Sequence, residues 1–239
     1  MPATDPSPPN LVLETVDESN LDTYIDLANL TFSTPPAGHR LGFLDIFYSN
    51  GITPAIRAWS REGSLKAIQS DDHFYFLLRD TSLPDAPAIG CIRWQLVSKP
   101  KSPEEMDAEE VKAAKERSSE NVPGIRHERF DDFRTAQFKS KRMYLANRPY
   151  LYLKAICTHP DHQRKGAGKV MMRWGLKKAD ELGVPMYLEA SAAGQRLYEQ
   201  SGFVVKGDLG YDTTKYEGVT DDFQNLAMVR EPGTGEVKY

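Results

Sequence analysis

The sequence of 239 residues predicts an α/β (α+β) fold in which helices flank a mixed sheet. The first observation is the order of the periodic segments, which is strand, helix, helix, strand, strand, insertion, strand, helix, strand, helix, strand, strand. The second is an extended apolar segment at residues 150–157 that leads through a glycine-containing loop into an amphipathic helix at residues 168–182. We see no internal repeat.

Each predicted element follows from its hydrophobic period and from the residues at its ends. The predicted strands lie at residues 11–16, 73–79, 88–96, 150–157, 186–190, 203–206 and 226–230. The predicted helices lie at residues 17–30, 53–68, 130–144 and 168–182, with a shorter one between Ser191 and Gly202. Thr53 followed by Pro54 is typical of a helix start, because the hydroxyl caps free N–H groups and proline fits the first turn.

The predicted domain organisation is a single domain at residues 11–239 that carries one insertion. Residues 1–10 are polar and proline-rich, so we expect them to be disordered. The insertion, at about residues 99–149, is charged and helical. Its second helix contains Phe130, Phe133 and Phe138, which suggests that this helix packs against another part of the protein.

Composition limits the possible partners and the compartment. The formal net charge of -4 gives no electrostatic case for nucleic-acid binding. Cys91 and Cys157 lie in strand-like segments without metal-ligand spacing, which is typical of buried free thiols in a reducing compartment. Neither a signal peptide nor an apolar run of the roughly 20 residues that a membrane span needs is visible. We therefore expect a cytoplasmic protein, with a nuclear location also open, that is a monomer or a homodimer.

The loop at residues 163–169 reads Gln-Arg-Lys-Gly-Ala-Gly-Lys and predicts a phosphate site. A strand that turns through glycines into a helix leaves free N–H groups at the positive end of the helix dipole. A Walker A loop is excluded, because Gln163 and Val170 replace its first glycine and its Ser or Thr. A dinucleotide fingerprint is excluded as well, since Met171 stands at the third glycine position.

The remaining pattern, Q-x-x-G-x-G, resembles the acetyl-CoA loop of the GCN5-related N-acetyltransferase (GNAT) superfamily. Pro160 precedes the loop, and Tyr198-x-x-x-Gly202-Phe203 follows it as in that family, with Gly194 at the family's usual alanine position. These motifs cover about residues 150–206, and the long insertion is similar to that of fungal members of undefined substrate. The resemblance implies a mostly antiparallel sheet with a splayed strand pair, acetyl-CoA as co-substrate and no metal.

The resemblance also implies which residues hold acetyl-CoA. The loop backbone would bind the pyrophosphate, and the backbone of the preceding strand would pair with the pantetheine arm. Ser191 stands where the family often has an asparagine for that arm. The implied cofactor-binding residues are Ile156, Cys157, Thr158, Gln163, Arg164, Lys165, Gly166, Ala167, Gly168, Lys169 and Ser191.

The implied catalytic residues are Tyr198 as general acid and a base that the sequence leaves open. Family members often place the base on the loop strand, at the positions of Tyr152 and Lys154. Unperturbed tyrosine and lysine titrate near 10, so a base there requires a large shift in pKa. Glu189, acting through a water chain, is the alternative, whereas His159 reads as an exposed residue before a turn.

The leading functional prediction is transfer of an acetyl group to a primary amine by direct attack in a ternary complex, with a small-molecule amine favoured. One alternative is acetylation of a protein or peptide at a lysine or N-terminus. Another is a catalytically weak acyl-CoA-binding regulatory protein. The aromatic residues at 31–48, among them Phe32, Phe43, Phe47 and Tyr48, either favour an apolar or aromatic acceptor or fill the core.

Overall fold

The computed structural model describes residues 10–99, 102, 104–108, 122–219, 223 and 225–233. The predicted disorder of residues 1–10 therefore lies outside the described residues, apart from Asn10. Residues 109–121 of the predicted insertion lie outside them too.

Seven strands form one sheet in the order β1-β2-β3-β4-β5-β7-β6. They are β1 (Leu11–Thr15), β2 (His73–Asp80), β3 (Ala88–Val97), β4 (Tyr150–Thr158), β5 (Met186–Ser191), β6 (Val204–Asp208) and β7 (Asn225–Arg230). The β4–β5 pair is parallel, and the other neighbouring pairs are antiparallel. The mixed, mostly antiparallel sheet of the prediction is confirmed.

Helices lie on both faces of this sheet. They are α1 (Leu21–Ser33), α2 (Pro54–Ile68), α3 (His127–Leu145), α4 (Ala167–Leu182) and α5 (Ala192–Gln200). Residues 104–108 are also helical, and Ser102 and Glu105 exchange the reciprocal hydrogen bonds of a capping box before this turn. None of the helices in the described ranges combines the length and the apolar character that crossing a membrane requires.

The two predicted helix starts in the N-terminal half have different outcomes. The Thr53 hydroxyl accepts a hydrogen bond from the N–H of Ile56 at 3.3 Å, so Thr53 caps α2 as predicted. The helix predicted at residues 17–30 instead begins at Leu21. Asp17 binds the N–H of Ser19 at 2.8 Å and Asn20 binds the N–H of Asp17 at 2.9 Å, so these side chains stabilise a turn in place of a first helical turn.

The two faces of the sheet have different cores. On one face, α4 and α5 cover the main cluster, which includes Trp94, Leu153 and Leu188. On the other face, α1 covers a cluster that contains Cys91 and Cys157. A further cluster joins Leu145 of α3 to four buried strand residues, Tyr152, Tyr187, Ala227 and Val229. The side chains at odd and even positions of β5 thus pack on opposite faces of the sheet, as the alternation of strand side chains requires.

The β4–β5 pair separates before either strand ends. Their pairing covers Leu151 to Leu153 on β4 and stops at Leu188 on β5, although β4 continues to Thr158 and β5 to Ser191. Beyond that point β4 pairs only with β3, and β5 pairs only with β7. The β3–β4 register shifts by one residue at Lys154, which makes a bulge at the point of separation. The predicted splayed strand pair is therefore confirmed, and we call the space between residues 154–158 and 189–191 the gap.

Gly175 is predicted to be essential for the packing of α4 on the sheet. A Cβ at this position would lie 2.3 Å from Cζ2 of Trp94, whose side chain is fully buried. We expect Gly175→Ala to lower the free energy of unfolding by about 1–3 kcal/mol, because a fixed indole cannot yield to the methyl group. Urea denaturation measures the difference.

The matched control is Gly63→Ala in α2, where a Cβ would meet no atom within 4 Å. This variant should gain up to about 1 kcal/mol from helix propensity. A Gly175→Ala protein as stable as the wild type would contradict the packing role.

Candidate functional site

The loop before α4 presents a row of backbone donors. Gly166 is the N-cap residue in the left-handed region at φ 89°, and Arg164 also has a positive φ of 64°. The first intrahelical bonds run from the N–H groups of Lys169 and Val170 to the carbonyl of Gly166. Within the described part of the chain, the backbone N–H groups of residues 164–168 have no acceptor. This geometry fits a phosphate, since the donors lie at a helix N-terminus.

The two glycines of the loop have different structural roles. A Cβ at Gly166 would meet no atom within 4 Å, so its left-handed conformation is what requires glycine. A Cβ at Gly168 would lie 2.8 Å from Cδ2 of Leu197. The packing of α5 therefore requires glycine at position 168.

The polar side chains of the loop hold its shape as well as adding charge. The Gln163 amide donates to the Thr158 carbonyl at 3.2 Å, which ties the loop to the end of β4. The Lys165 ammonium donates to the Asp161 carbonyl at 3.0 Å. Arg164 is exposed beside them. With Lys169 on the first turn of α4, these groups give the loop a local excess of positive charge.

The remaining predicted cofactor-binding residues lie on the strand segments that border the gap and at the start of α4. Ile156 packs against the main cluster, so its side chain is structural and only its backbone can face the gap. The Cys157 sulfur is buried 3.1 Å from the Cys91 sulfur on β3. Ala167 is buried at the start of α4. Ser191 holds the N-cap position of α5 and is exposed, and its hydroxyl makes no capping hydrogen bond.

Tyr198 lies on the α5 side of the gap, with its ring in the main cluster. The ring contacts Phe203 edge-on at a centroid distance of 6.2 Å. A Cβ on Gly194 would lie 2.7 Å from the Tyr198 ring, so the glycine at the family's alanine position makes room for that ring. Burial, followed by the charge of Glu189, raises the pKa of the Tyr198 hydroxyl above its usual value, so the group is protonated at neutral pH.

Tyr152 and Glu189 form a hydrogen-bonded pair on the opposite face. The Tyr152 hydroxyl donates to Oε2 of Glu189 at 2.7 Å and accepts from the Gln137 amide at 3.0 Å. Burial and the neighbouring carboxylate raise the pKa of Tyr152 well above 10, which excludes it as a base. Burial also raises the pKa of Glu189. Its Oε1 atom is buried and has no hydrogen-bond partner among the described residues.

Lys154 is the bulge residue at the point where the strands separate. Its ammonium donates to the Gln95 side chain at 3.3 Å and lies 5.8 Å from the centre of the Tyr152 ring, and the residue has exposed surface. Partial desolvation of its side chain, followed by the charges of Arg93, Lys141 and Arg134, lowers the pKa of Lys154 to about 7. A lysine with this pKa is partly neutral at physiological pH and can accept a proton.

Four of the residues around these groups are not recognisable as site residues in the sequence. They are Arg93 on β3 and Arg134, Gln137 and Lys141 on α3. The last three are spaced by three and four residues, so they share one helical face. That spacing could have identified a polar face of the helix, but the phenylalanines of the same helix are the more obvious feature.

The aromatic residues at 31–48 fill a core. Phe43 packs against Phe47, Phe133 and Phe223 at centroid distances of 5.2, 5.6 and 6.2 Å. Phe47 and Tyr48 are buried in the same cluster. Of the two interpretations of this segment, the structure favours the core role, so its aromatic content is no guide to the acceptor.

Removing the charge of Glu189 should change the pH dependence of stability. The pKa of Glu189 is higher in the folded protein than in the unfolded chain, so protonation of this carboxyl group stabilises the fold. This stabilisation is lost as the pH rises from about 4.5 through the pKa of the folded state. We therefore expect Glu189→Gln to be more stable relative to wild type at pH 8 than at pH 4.5. Urea denaturation at the two pH values tests this.

Glu199→Gln on the exposed surface of α5 is the matched control, and its difference from wild type should be the same at both pH values. An equally pH-independent difference for Glu189→Gln would show that this carboxyl group is not perturbed by burial.

Comparison with known proteins agrees with this geometry. Residues 129–203 match the acetyltransferase (GNAT) family, a range that begins within α3. The probable acyltransferase SID5 of Ajellomyces capsulatus is 30% identical over 70 residues, which are 29% of this chain and 52% of that protein. The matched segment thus spans about half the length of this curated relative.

Solved structures share the fold over almost the whole chain. Arylalkylamine N-acetyltransferase 2 from Aedes aegypti has a TM-score of 0.61 at 16% identity, with 93% of this chain and 99% of that chain covered. The histone acetyltransferase HPA2 and related acetyltransferase from Corynebacterium glutamicum has a TM-score of 0.56 at 17% identity, with coverages of 95% and 99%. Arabidopsis thaliana NAA60, solved with a bisubstrate analogue, has a TM-score of 0.54 at 14% identity, with coverages of 94% and 99%. The chain therefore has the fold of these solved acetyltransferases over most of its length, and residues 129–203 carry the sequence pattern of the acetyltransferase (GNAT) family.

Proposed function

We propose that this protein transfers an acetyl group from acetyl-CoA to the nitrogen of a primary amine in a ternary complex. The observation that carries the proposal is the gap between β4 and β5, which opens beside the donor-rich loop at residues 164–168. An extended ligand arm can pair with the free edge of β4 while its phosphates meet the loop. The co-substrate supplies an activated thioester, so the protein must position the amine and move two protons.

Tyr198 would donate the proton that the departing thiolate requires. Its hydroxyl is protonated at neutral pH and makes no hydrogen bond to another described residue. In the net reaction the C–S bond breaks, an amide C–N bond forms, the nitrogen loses a proton and the sulfur gains one. A phenol at the gap suits the last of these transfers.

Lys154 would accept the proton of the amine. It borders the gap at the bulge, it is accessible, and its pKa of about 7 is suited to a base at physiological pH. Glu189 is less suited to direct contact with substrate, because Oε2 is hydrogen-bonded to Tyr152 and Oε1 is buried. We assign Glu189 and Tyr152 to positioning, through the hydrogen bonds that hold this side of the gap.

A small amine is favoured over a protein surface. Helix α3 lies against the paired part of β4 and β5 next to the gap, where Gln137 donates to Tyr152 and Ser140 accepts from the Tyr187 hydroxyl at 2.7 Å. A helix at this end of the gap leaves less room for an extended peptide than an open groove would. One solved neighbour is named for an arylalkylamine and another for a histone, so a substrate screen should include peptides as well as small amines.

Tyr198→Phe should lower turnover by about 100-fold and leave acetyl-CoA affinity within a few-fold of wild type, because only the proton donor is lost. Thiol release with a panel of amines and peptides measures turnover, and calorimetry measures binding. Tyr48→Phe, which changes a buried tyrosine in a different core cluster, should be fully active. An active Tyr198→Phe protein would remove the acid role. If acetyl-CoA binds and no acceptor releases thiol, the chain is an acyl-CoA-binding protein instead.

Lys154→Arg should also lower turnover by about 100-fold near neutral pH, because a guanidinium keeps the charge but cannot release its proton. In the wild type, turnover should rise as pH increases through about 7, where Lys154 becomes neutral. This rise should be absent in the variant. Lys139→Arg on the exposed side of α3 is the matched control. If Lys154→Arg keeps both the rate and the rise, Lys154 is not the base.

A further inference from the structure

We propose that Cys91 and Cys157 form a modification site, at which a peroxide-class oxidant makes an intrachain disulfide between β3 and β4, and that acetyl-CoA bound in the gap protects this site from oxidation. Protection by acetyl-CoA rests on the proposed function, since it requires the co-substrate to occupy the gap. Disulfide formation itself does not depend on the reaction that the protein catalyses.

The two cysteines face each other across the β3–β4 pair. Cys91 is the register partner of Cys157, and both side chains pack in the cluster that α1 covers. Their sulfur atoms lie 3.1 Å apart. Directly opposite residues of antiparallel strands have Cα atoms about 4.5–5.5 Å apart, which is within the range of about 4.4–6.8 Å that a disulfide requires. A bond between the two sulfurs therefore needs little movement of either strand.

The two thiols differ in a way that suits oxidation in two steps. A hydrogen bond from the Cys91 thiol lowers the pKa of Cys157, and burial raises the pKa of Cys91. The thiolate is the nucleophile in thiol oxidation, so Cys157 is the first sulfur to react. Cys91 is already in contact with it and serves as the resolving thiol, as in redox-sensing pairs.

Hydrogen peroxide supplies the two oxidising equivalents that the disulfide requires. The Cys157 thiolate attacks one peroxide oxygen, the O–O bond breaks, and the departing hydroxide takes up the proton that the thiol released. A sulfenic acid and one water result. The Cys91 sulfur then attacks the Cys157 sulfur, the S–O bond breaks, and hydroxide leaves with the Cys91 proton as a second water. The sulfurs are oxidised and the peroxide is reduced.

Access to the pair depends on the free edge of β4. Only 1% of Cys91 and 5% of Cys157 is exposed, so an oxidant reaches the sulfurs when the structure opens locally. Residues 154–158 pair with β3 on one side and, within the described chain, with no strand on the other. Such a segment opens more easily than a strand that is paired on both sides. A ligand arm that pairs with this edge holds β4 closed and therefore shields the thiols.

Thiol counting tests disulfide formation directly, because the chain contains two cysteines. The 239-residue protein is treated with hydrogen peroxide, alkylated with iodoacetamide in denaturant and weighed by intact mass spectrometry. We expect a monomeric product that has lost two hydrogen atoms, takes up no iodoacetamide and recovers both thiols with dithiothreitol. Two alkylated thiols, a dimer linked between chains, or a sulfinic or sulfonic acid as the end product would overturn the modification site.

Cys91→Ala and Cys157→Ala are the matched controls, since a chain with one cysteine cannot form an intrachain disulfide. The loss of two hydrogen atoms should therefore be absent from both variants. The same loss in either variant would show that the mass change arises elsewhere, and it would overturn the assignment.

Acetyl-CoA should slow disulfide formation about tenfold at a concentration about ten times its Kd, because the open protein does not bind it. Calorimetry gives the Kd, and acetyl-CoA is the probe because CoA itself carries a thiol. An unchanged oxidation rate in protein that binds acetyl-CoA would overturn the protection. Failure to bind acetyl-CoA counts against the proposed function instead, and the thiol count then still decides whether the modification site exists.

Discussion

The separation of β4 from β5 after Leu153 and Leu188 is the constraint on which the site depends. A continuous parallel pair would satisfy the backbone of both strands and leave no edge for a ligand. The bulge at Lys154 coincides with the point of separation, since the extra residue interrupts the regular pairing of β4 with β3. Lys154 shares a face with Tyr152 through the alternation of strand side chains, and on that face the neighbouring cations lower its pKa.

The separation also connects the two faces of the sheet. Tyr198 belongs to the core beneath α4 and α5, whereas Glu189 and Tyr152 belong to the side that α3 covers. Only where the strands part can groups on both faces approach the same ligand. Burial raises the pKa of Tyr198, and the environment of Lys154 lowers its pKa, so the proposed acid would act from one face of the sheet and the proposed base from the other.

Most of the fold could be predicted from the sequence, because hydrophobic period and end signals agree for most elements. Thr53 and Pro54 mark the start of α2, and the loop glycines mark the start of α4. The start of α1 was mispredicted because local bonds among Asp17, Ser19 and Asn20 compete with helix formation. The reason for Gly168 was also beyond the sequence, since Leu197 meets it only after α5 packs.

The candidate site was less predictable than the fold. The loop and Tyr198 follow from short motifs, but the state of Lys154 depends on Arg93, Arg134 and Lys141, which come from another strand and from α3. Charges that converge through tertiary packing leave no local pattern. The hydrogen bond between Tyr152 and Glu189 could not be predicted for the same reason, because 37 positions separate the two residues in the sequence.

Amide hydrogen exchange with and without CoA tests the central claim most directly. The N–H groups of residues 164–168 have no acceptor within the described protein, and the β5-facing edge of residues 154–158 is unpaired, so exposed amides there should exchange quickly in the free protein. Saturating CoA should protect both segments and leave the β1–β2 hydrogen bonds unchanged, and Gly166→Glu should abolish that protection. Protection elsewhere, with none in these two segments, would contradict the assignment of the gap as the CoA site.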